Sequence, residues 1–169
     1  ETASADELPS DVMYTITESD ATGFRMTGST GQAGTITPAA ASTATFTNER
    51  QPGNLEVSKT LISQDPADDN VEFNFTVTLD TAILGKKDGS DEQTYDVGAK
   101  ATFGDMTFEN KEVKGKVVAV ASVGITPGQN QTAAKVATGL PTGVKYTVTE
   151  AETEGFEAQG DTTRTGTIV

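Results

Sequence analysis

The chain has 169 residues, with 12 Lys and Arg against 25 Asp and Glu, and no His, Cys or Trp. A formal net charge of −13 excludes the basic footprint that nucleic acid or an anionic membrane surface requires. The absence of His and Cys excludes imidazole acid–base chemistry, thiol nucleophiles, disulfides, Fe–S clusters and most zinc sites, so no metal and no cofactor is expected.

The length suits one ordinary domain, or one domain plus part of another. No apolar run approaches a membrane span, so no membrane insertion is expected. Thr is abundant, with Ala, Gly and Val behind it, and no stretch reads as a long amphipathic helix. Thr and Val favour strands, and the composition predicts an all-β chain.

The first strand signal is VMYTITE, which places Val12, Tyr14, Ile16 and Glu18 on one face. ATFTN places Ala44, Phe46 and Asn48 together. QPGN at 51–54 reads as a turn-rich linker. LEVSKTL then sets Leu55, Val57, Lys59 and Leu61 on one side. DPADDN at 65–70 offers carboxylates for calcium, but a solvated loop is the reading taken.

VEFNFTVTL is the clearest strand: Val71, Phe73, Phe75, Val77 and Leu79 alternate with Glu72, Asn74, Thr76 and Thr78. Residues 80–115 read as a long loop with short strands or one helical turn, anchored at isolated points by Tyr95, Phe103, Met106 and Phe108. Lys86, Lys87 and Lys111 read as surface lysines. A further strand covers Lys116–Val123, with less clear facing. LPTG at 140–143 reads as a turn rather than a sorting signal, because no apolar span or basic tail follows. VKYTVTE closes the set, with Val144, Tyr146, Val148 and Glu150 on one face.

The chain also repeats itself. Residues 8–37 recur without a gap at 140–169, with 14 identities in 30 positions, among them Tyr14/Tyr146, Glu18/Glu150, Gly23/Gly155 and Phe24/Phe156. Such a spacing predicts a tandem array with a unit of about 130 residues. Residues 1–50 match the C-terminal part of one repeat, and residues 51–169 form a second repeat lacking its last strand. The first segment is too small to bury a core by itself.

Period 2 puts Lys59, Asn48 and the repeated Glu18 and Glu150 where an apolar residue is expected. A strand-end position that reaches solvent explains any one of them. Together they suggest a buried polar set, which is costly unless its members serve one another. A Lys amine can attack an Asn side-chain amide, releasing ammonia and leaving an amide cross-link. Desolvation favours the neutral amine, and a neutral Glu polarises the amide carbonyl. Folding supplies the proximity, and the reaction is a single turnover of the chain on itself, not an enzyme's.

LEVSKTL, EFNFTVTL, GLPTGVKYTVTEAETEGF and TATFTNE together resemble the isopeptide-linked pilin and Cna B-type domains of Gram-positive surface proteins. The likeness covers residues 8–50, 54–79 and 128–169 and is weak over 80–127. It implies an immunoglobulin-like β-sandwich in tandem repeats, extracellular at the cell wall, serving as the shaft or stalk of a pilus or adhesin. It also implies Lys59 and Glu150 as the lysine and catalytic glutamate of one repeat, and Glu18 and Asn48 as the glutamate and asparagine of the preceding one. By the repeat spacing, the Asn partner of Lys59 falls at position 180. The implied partners are neighbouring repeats or subunits of the same protein, completed in cis or by strand exchange. An alternative is an adhesive module that binds a host protein or glycan through the 80–127 insertion.

Overall fold

The computed structural model describes residues 3–38, 40–83, 85–87 and 93–169. The chain divides between Gln51 and Pro52 into two compact units. It is nearly all-β, with antiparallel sheets and no α-helix among the described residues.

The first unit, residues 1–51, holds four strands in two pairs. β1 (Met13–Thr15) pairs with β3 (Ala33–Thr35), and β2 (Phe24–Thr30) pairs with β4 (Thr45–Arg50). The second pair shifts register between Met26 and Gly28, a bulge that lets one strand carry an extra residue. Among its described residues none is buried. Val12 is 48% exposed, Ile16 43% and Met26 50%.

The second unit, residues 52–169, has a sandwich-like arrangement. β5 (Pro52–Thr60) lies in a two-stranded sheet. The larger sheet uses β6 (Phe73–Leu79), and a small hairpin is made by β7 (Gly85–Lys87) and β8 (Gln93–Tyr95). β9 (Lys100–Phe103), β10 (Met106–Val113) and β11 (Lys116–Ile125) follow, then β12 (Thr132–Pro141), β13 (Lys145–Glu150) and β14 (Thr163–Thr167). The large sheet runs in the order β14-β13-β6-β11-β10-β9, and β12 pairs with β5.

Alternation builds the core. On β6 the side chains of Phe73, Phe75, Val77 and Leu79 are buried, as period 2 requires. Leu55, Val57 and Leu61 of the β5 segment bury toward the same cluster, as do Ala119, Ala121, Val123 and Ile125 of β11. Each large apolar side chain buried in this way contributes on the order of 1.5–3 kcal/mol. Asp105, in the turn between β9 and β10, ties the two sheets: its carboxylate accepts from the Val136 amide at 3.0 Å, and its own amide donates to the Val136 carbonyl at 2.8 Å.

The expectation for 80–115 changes. Residues 100–113 are more than a loop with short strands: β9 and the eight-residue β10 join β11, where a strand was expected, to form half of the large sheet, and Met106 and Phe108 share a buried face with Asn110. The Gly- and Lys-rich surroundings obscured that alternation. Asn110 fits the interior because its Oδ1 accepts from the Ile83 amide at 3.3 Å and its Nδ2 donates to the Asp96 carbonyl at 3.4 Å.

QPGN is not a linker throughout, since Pro52–Asn54 already belong to β5 and pair with β12. Gly53 is buried there, and a Cβ on it would stand 2.5 Å from the Val169 carbonyl oxygen. The ten-residue β12 has no strong alternation in its sequence, and its exposed and buried positions mix accordingly.

DPADDN forms a short 3₁₀ turn over Pro66–Asn70, capped by the Asp65 side chain on the Ala67 amide at 2.9 Å. The Ser63 hydroxyl donates to Asp68. Leu140 and Pro141 of LPTG end β12, with Leu140 fully buried, and Thr142 and Gly143 turn toward β13. The side chains of Lys86 and Lys87 lie outside the described residues.

Candidate functional site

Lys59 is the next-to-last residue of β5, between the buried Val57 and Leu61 on the same face. Glu150 ends β13, opposite Phe75 of β6. Its backbone is fixed by a bond from its amide to the Thr162 carbonyl at 2.8 Å, and the next amide, of Ala151, donates to Asn74 at 2.8 Å. The two side chains meet across the sandwich: Lys59 Nζ donates to Glu150 Oε1 at 2.5 Å. They are only 17% and 16% exposed.

The surroundings are aromatic. Lys59 Nζ stands 4.5 Å from the centroid of the Phe73 ring, within cation–π range. Phe156 packs edge-on against Phe73, with centroids 5.3 Å apart and planes at 77°. Phe73 was legible as a core residue but not as the shelf beneath the lysine. The retention of Phe156 at the place of Phe24 was the available signal.

Lys59 and Glu150 sit in the wall of an open groove of about 790 Å³, floored by Leu55, Val57, Phe73, Phe75, Tyr146 and Val148.

The first unit supplies the complementary pair. Asn48 lies on β4, opposite Met26 of β2, and its Nδ2 donates to Glu18 Oε1 at 2.7 Å. Both residues are exposed, which corrects the expectation that they face a core. With two strand pairs and Val12 and Ile16 still open to solvent, the described residues of the unit enclose no interior for them to face.

Arg50 stacks over the Phe24 ring at 4.3 Å, and Arg25 pairs with Glu49 at 3.0 Å.

The glutamates occupy matching frames. In the first unit Met13, Tyr14 and Thr15 pair with Thr35, Gly34 and Ala33. In the second, Lys145, Tyr146 and Thr147 pair with Thr167, Gly166 and Thr165. These are the same registers 132 positions apart. In both, the tyrosine ring lies over the glycine: a Cβ would meet the Tyr14 hydroxyl at 2.8 Å and the Tyr146 hydroxyl at 2.5 Å. Glycine is required for that approach.

Lys59 and Glu150 are therefore together in one unit, and Asn48 and Glu18 in the other. Among the described residues no group of three or more His, Cys, Asp or Glu is placed to hold a metal ion, and no helix is long and apolar enough to cross a membrane.

No curated protein and no solved structure matches the chain. A family model described as a domain of unknown function, DUF7601, matches residues 1–50 and 53–169. With nearly its whole length covered by that match, the chain belongs to the DUF7601 family.

Proposed function

We propose that this chain is part of a tandem β-sandwich stalk of a bacterial surface protein, pilus or adhesin, in which each unit locks its first strand to its last by a Lys–Asn isopeptide bond. The observation that carries the reading is the pair of contacts to equivalent glutamates: lysine to Glu150 at 2.5 Å and asparagine to Glu18 at 2.7 Å. Overlaying the two frames gives one glutamate holding both reactants, which is the arrangement the chemistry needs.

In a complete unit Glu150 takes a proton from the Lys59 ammonium, and the neutral amine attacks the amide carbon of the facing Asn. Glu150 gives that proton to the departing nitrogen, which leaves as ammonia as the C–N bond of the Asn amide breaks; the attacking nitrogen sheds its second proton through Glu150 to the released ammonia or to solvent, leaving the amide N–H and the carboxylate. The Phe73 ring and the low exposure of the pair keep water from competing. An immunoglobulin-like, Cna B-type topology and a tandem array are part of this reading, as is a place outside the cell, at the cell wall. Its partners are neighbouring repeats or subunits of the same protein.

The alternative, adhesion to a host protein or glycan through 80–127, has less support. Phe108 is fully buried and packs edge-on against Phe103, centroids 6.2 Å apart, so these rings are not a sugar platform.

Single-molecule pulling tests the mechanical role. A chain extended after Val169 by its own Pro38–Arg50 segment carries both reactants in one unit. A bond from Lys59 to the added Asn withholds about 120 residues, or roughly 400 Å, from extension under load. Lys59→Met should release that length. Equal extension of both chains would refute the stalk reading.

A further inference from the structure

The groove beside Lys59 has the form of a strand position. β5 pairs with β12 along one edge, and every residue from Leu55 to Ile62 lines the groove. An unpaired edge over an apolar floor is a template for an added strand. The opposite wall is the segment from Phe156 to Thr162, which forms no strand. Its counterpart in the first unit is Phe24–Thr30, which is a strand, β2, paired with β4. The segment thus has its partner in one unit and lacks it in the other.

The first unit supplies the register. There Arg50 faces Phe24, Glu49 faces Arg25 and Asn48 faces Met26. Transferred by the repeat, these positions face Phe156, Glu157 and Ala158. The transfer brings an Asn amide to Glu150, as Asn48 meets Glu18. It also reverses one charge. Arg25, which binds Glu49 at 3.0 Å, is replaced by Glu157, so a Glu following the Asn would meet a like charge.

We propose that this groove binds an extended strand of the Thr-Phe-Thr-Asn type in which the residue after the Asn is Lys or Arg, and that Glu157 selects that base. The preferred occupant is another strand of this repeat pattern; the Thr45–Arg50 strand of a second copy, whose Glu49 meets Glu157, is held more weakly, and that sequence fills the groove only when it is joined to the same chain, where it need not be captured from solution. The covalent consequence rests on the isopeptide reading: the bond formed joins Lys59 Nζ to the Asn amide carbon, and the bond broken frees the Asn nitrogen as ammonia. The strand selection does not rest on it.

The test uses the full chain with Lys59→Met, which cannot cross-link, and two labelled peptides at low salt. One is Ser42–Arg50 as it stands; the other carries Glu49→Lys. Fluorescence anisotropy should show the Lys peptide binding about threefold to tenfold tighter, the scale of exchanging an exposed repulsion for an exposed ion pair. Adding Glu157→Arg should reverse the preference. Failure of both peptides to bind, equal or tighter binding of the unaltered peptide, or a preference that survives Glu157→Arg overturns the proposal. The isopeptide reading is judged apart, by loss of ammonia when the Lys peptide is mixed with the chain that keeps Lys59. Selective binding without that loss refutes the bond and leaves the groove assignment standing.

Discussion

Replacing Phe73 by Leu tests how the lysine is held. Phe73 is 1% exposed, so Leu keeps most of the apolar burial and the fold survives. The edge-on contact with Phe156, at 5.3 Å and 77°, is lost, at about 0.5–1.5 kcal/mol. The contact with the Lys59 ammonium at 4.5 Å is lost as well, at about 0.5–1 kcal/mol. Imperfect refilling of the ring's space costs up to about 1 kcal/mol more. The expected destabilisation is therefore about 1–3.5 kcal/mol. Hydrogen exchange at the Val77 amide, in the centre of the large sheet, reports the second unit alone. A double-mutant cycle with Lys59→Met isolates the cation–π share, expected at about 0.5–1 kcal/mol. A loss below about 0.5 kcal/mol, or no coupling in the cycle, would refute the placement of the ring between Lys59 and Phe156.

Gly53→Ala should destabilise the second unit by about 1–3 kcal/mol, because the new Cβ meets the Val169 carbonyl oxygen at 2.5 Å and Ile168 Cγ2 at 2.6 Å; faster exchange at the Ile168 amide would register it. Asn110→Ala should cost about 1–3 kcal/mol, since it removes the side-chain bonds to the Ile83 amide and the Asp96 carbonyl; a urea titration measures it. Arg25→Ala, in contrast, should change stability by less than about 1 kcal/mol, because its pair with Glu49 is 66% and 61% exposed; a large loss in the same titration would contradict that.

Strict alternation made β6 and the inner face of β5 legible, because each side chain there has one face to choose. The same rule located Lys59 and Glu150, whose polar character stands out against buried neighbours. It failed for β10, where Met106, Phe108 and Asn110 share the buried face and a buried Asn disguises the period. It failed for β12 because a sequence of Ala and Thr carries little contrast between faces. The exposure of Glu18 and Asn48 was not legible from the strand pattern, which tells which side a residue takes but not whether anything covers that side. Sequence likewise did not reveal that 156–162 leaves the sheet while 24–30 stays in it, since the difference lies in the presence of β4 rather than in the segments themselves.

The proposed stalk requires one covalent bond in each complete unit. Intact-mass spectrometry of the chain extended after Val169 by Pro38–Arg50 measures it directly. The folded extended chain should be lighter than its calculated mass by one ammonia, and a tryptic digest should hold Lys59 joined to the added Asn. The same chain with Glu150→Ala should show the unshifted mass. An unshifted mass in the folded chain that keeps Glu150 would contradict the cross-link, and a shifted mass with Glu150→Ala would remove that residue from its role.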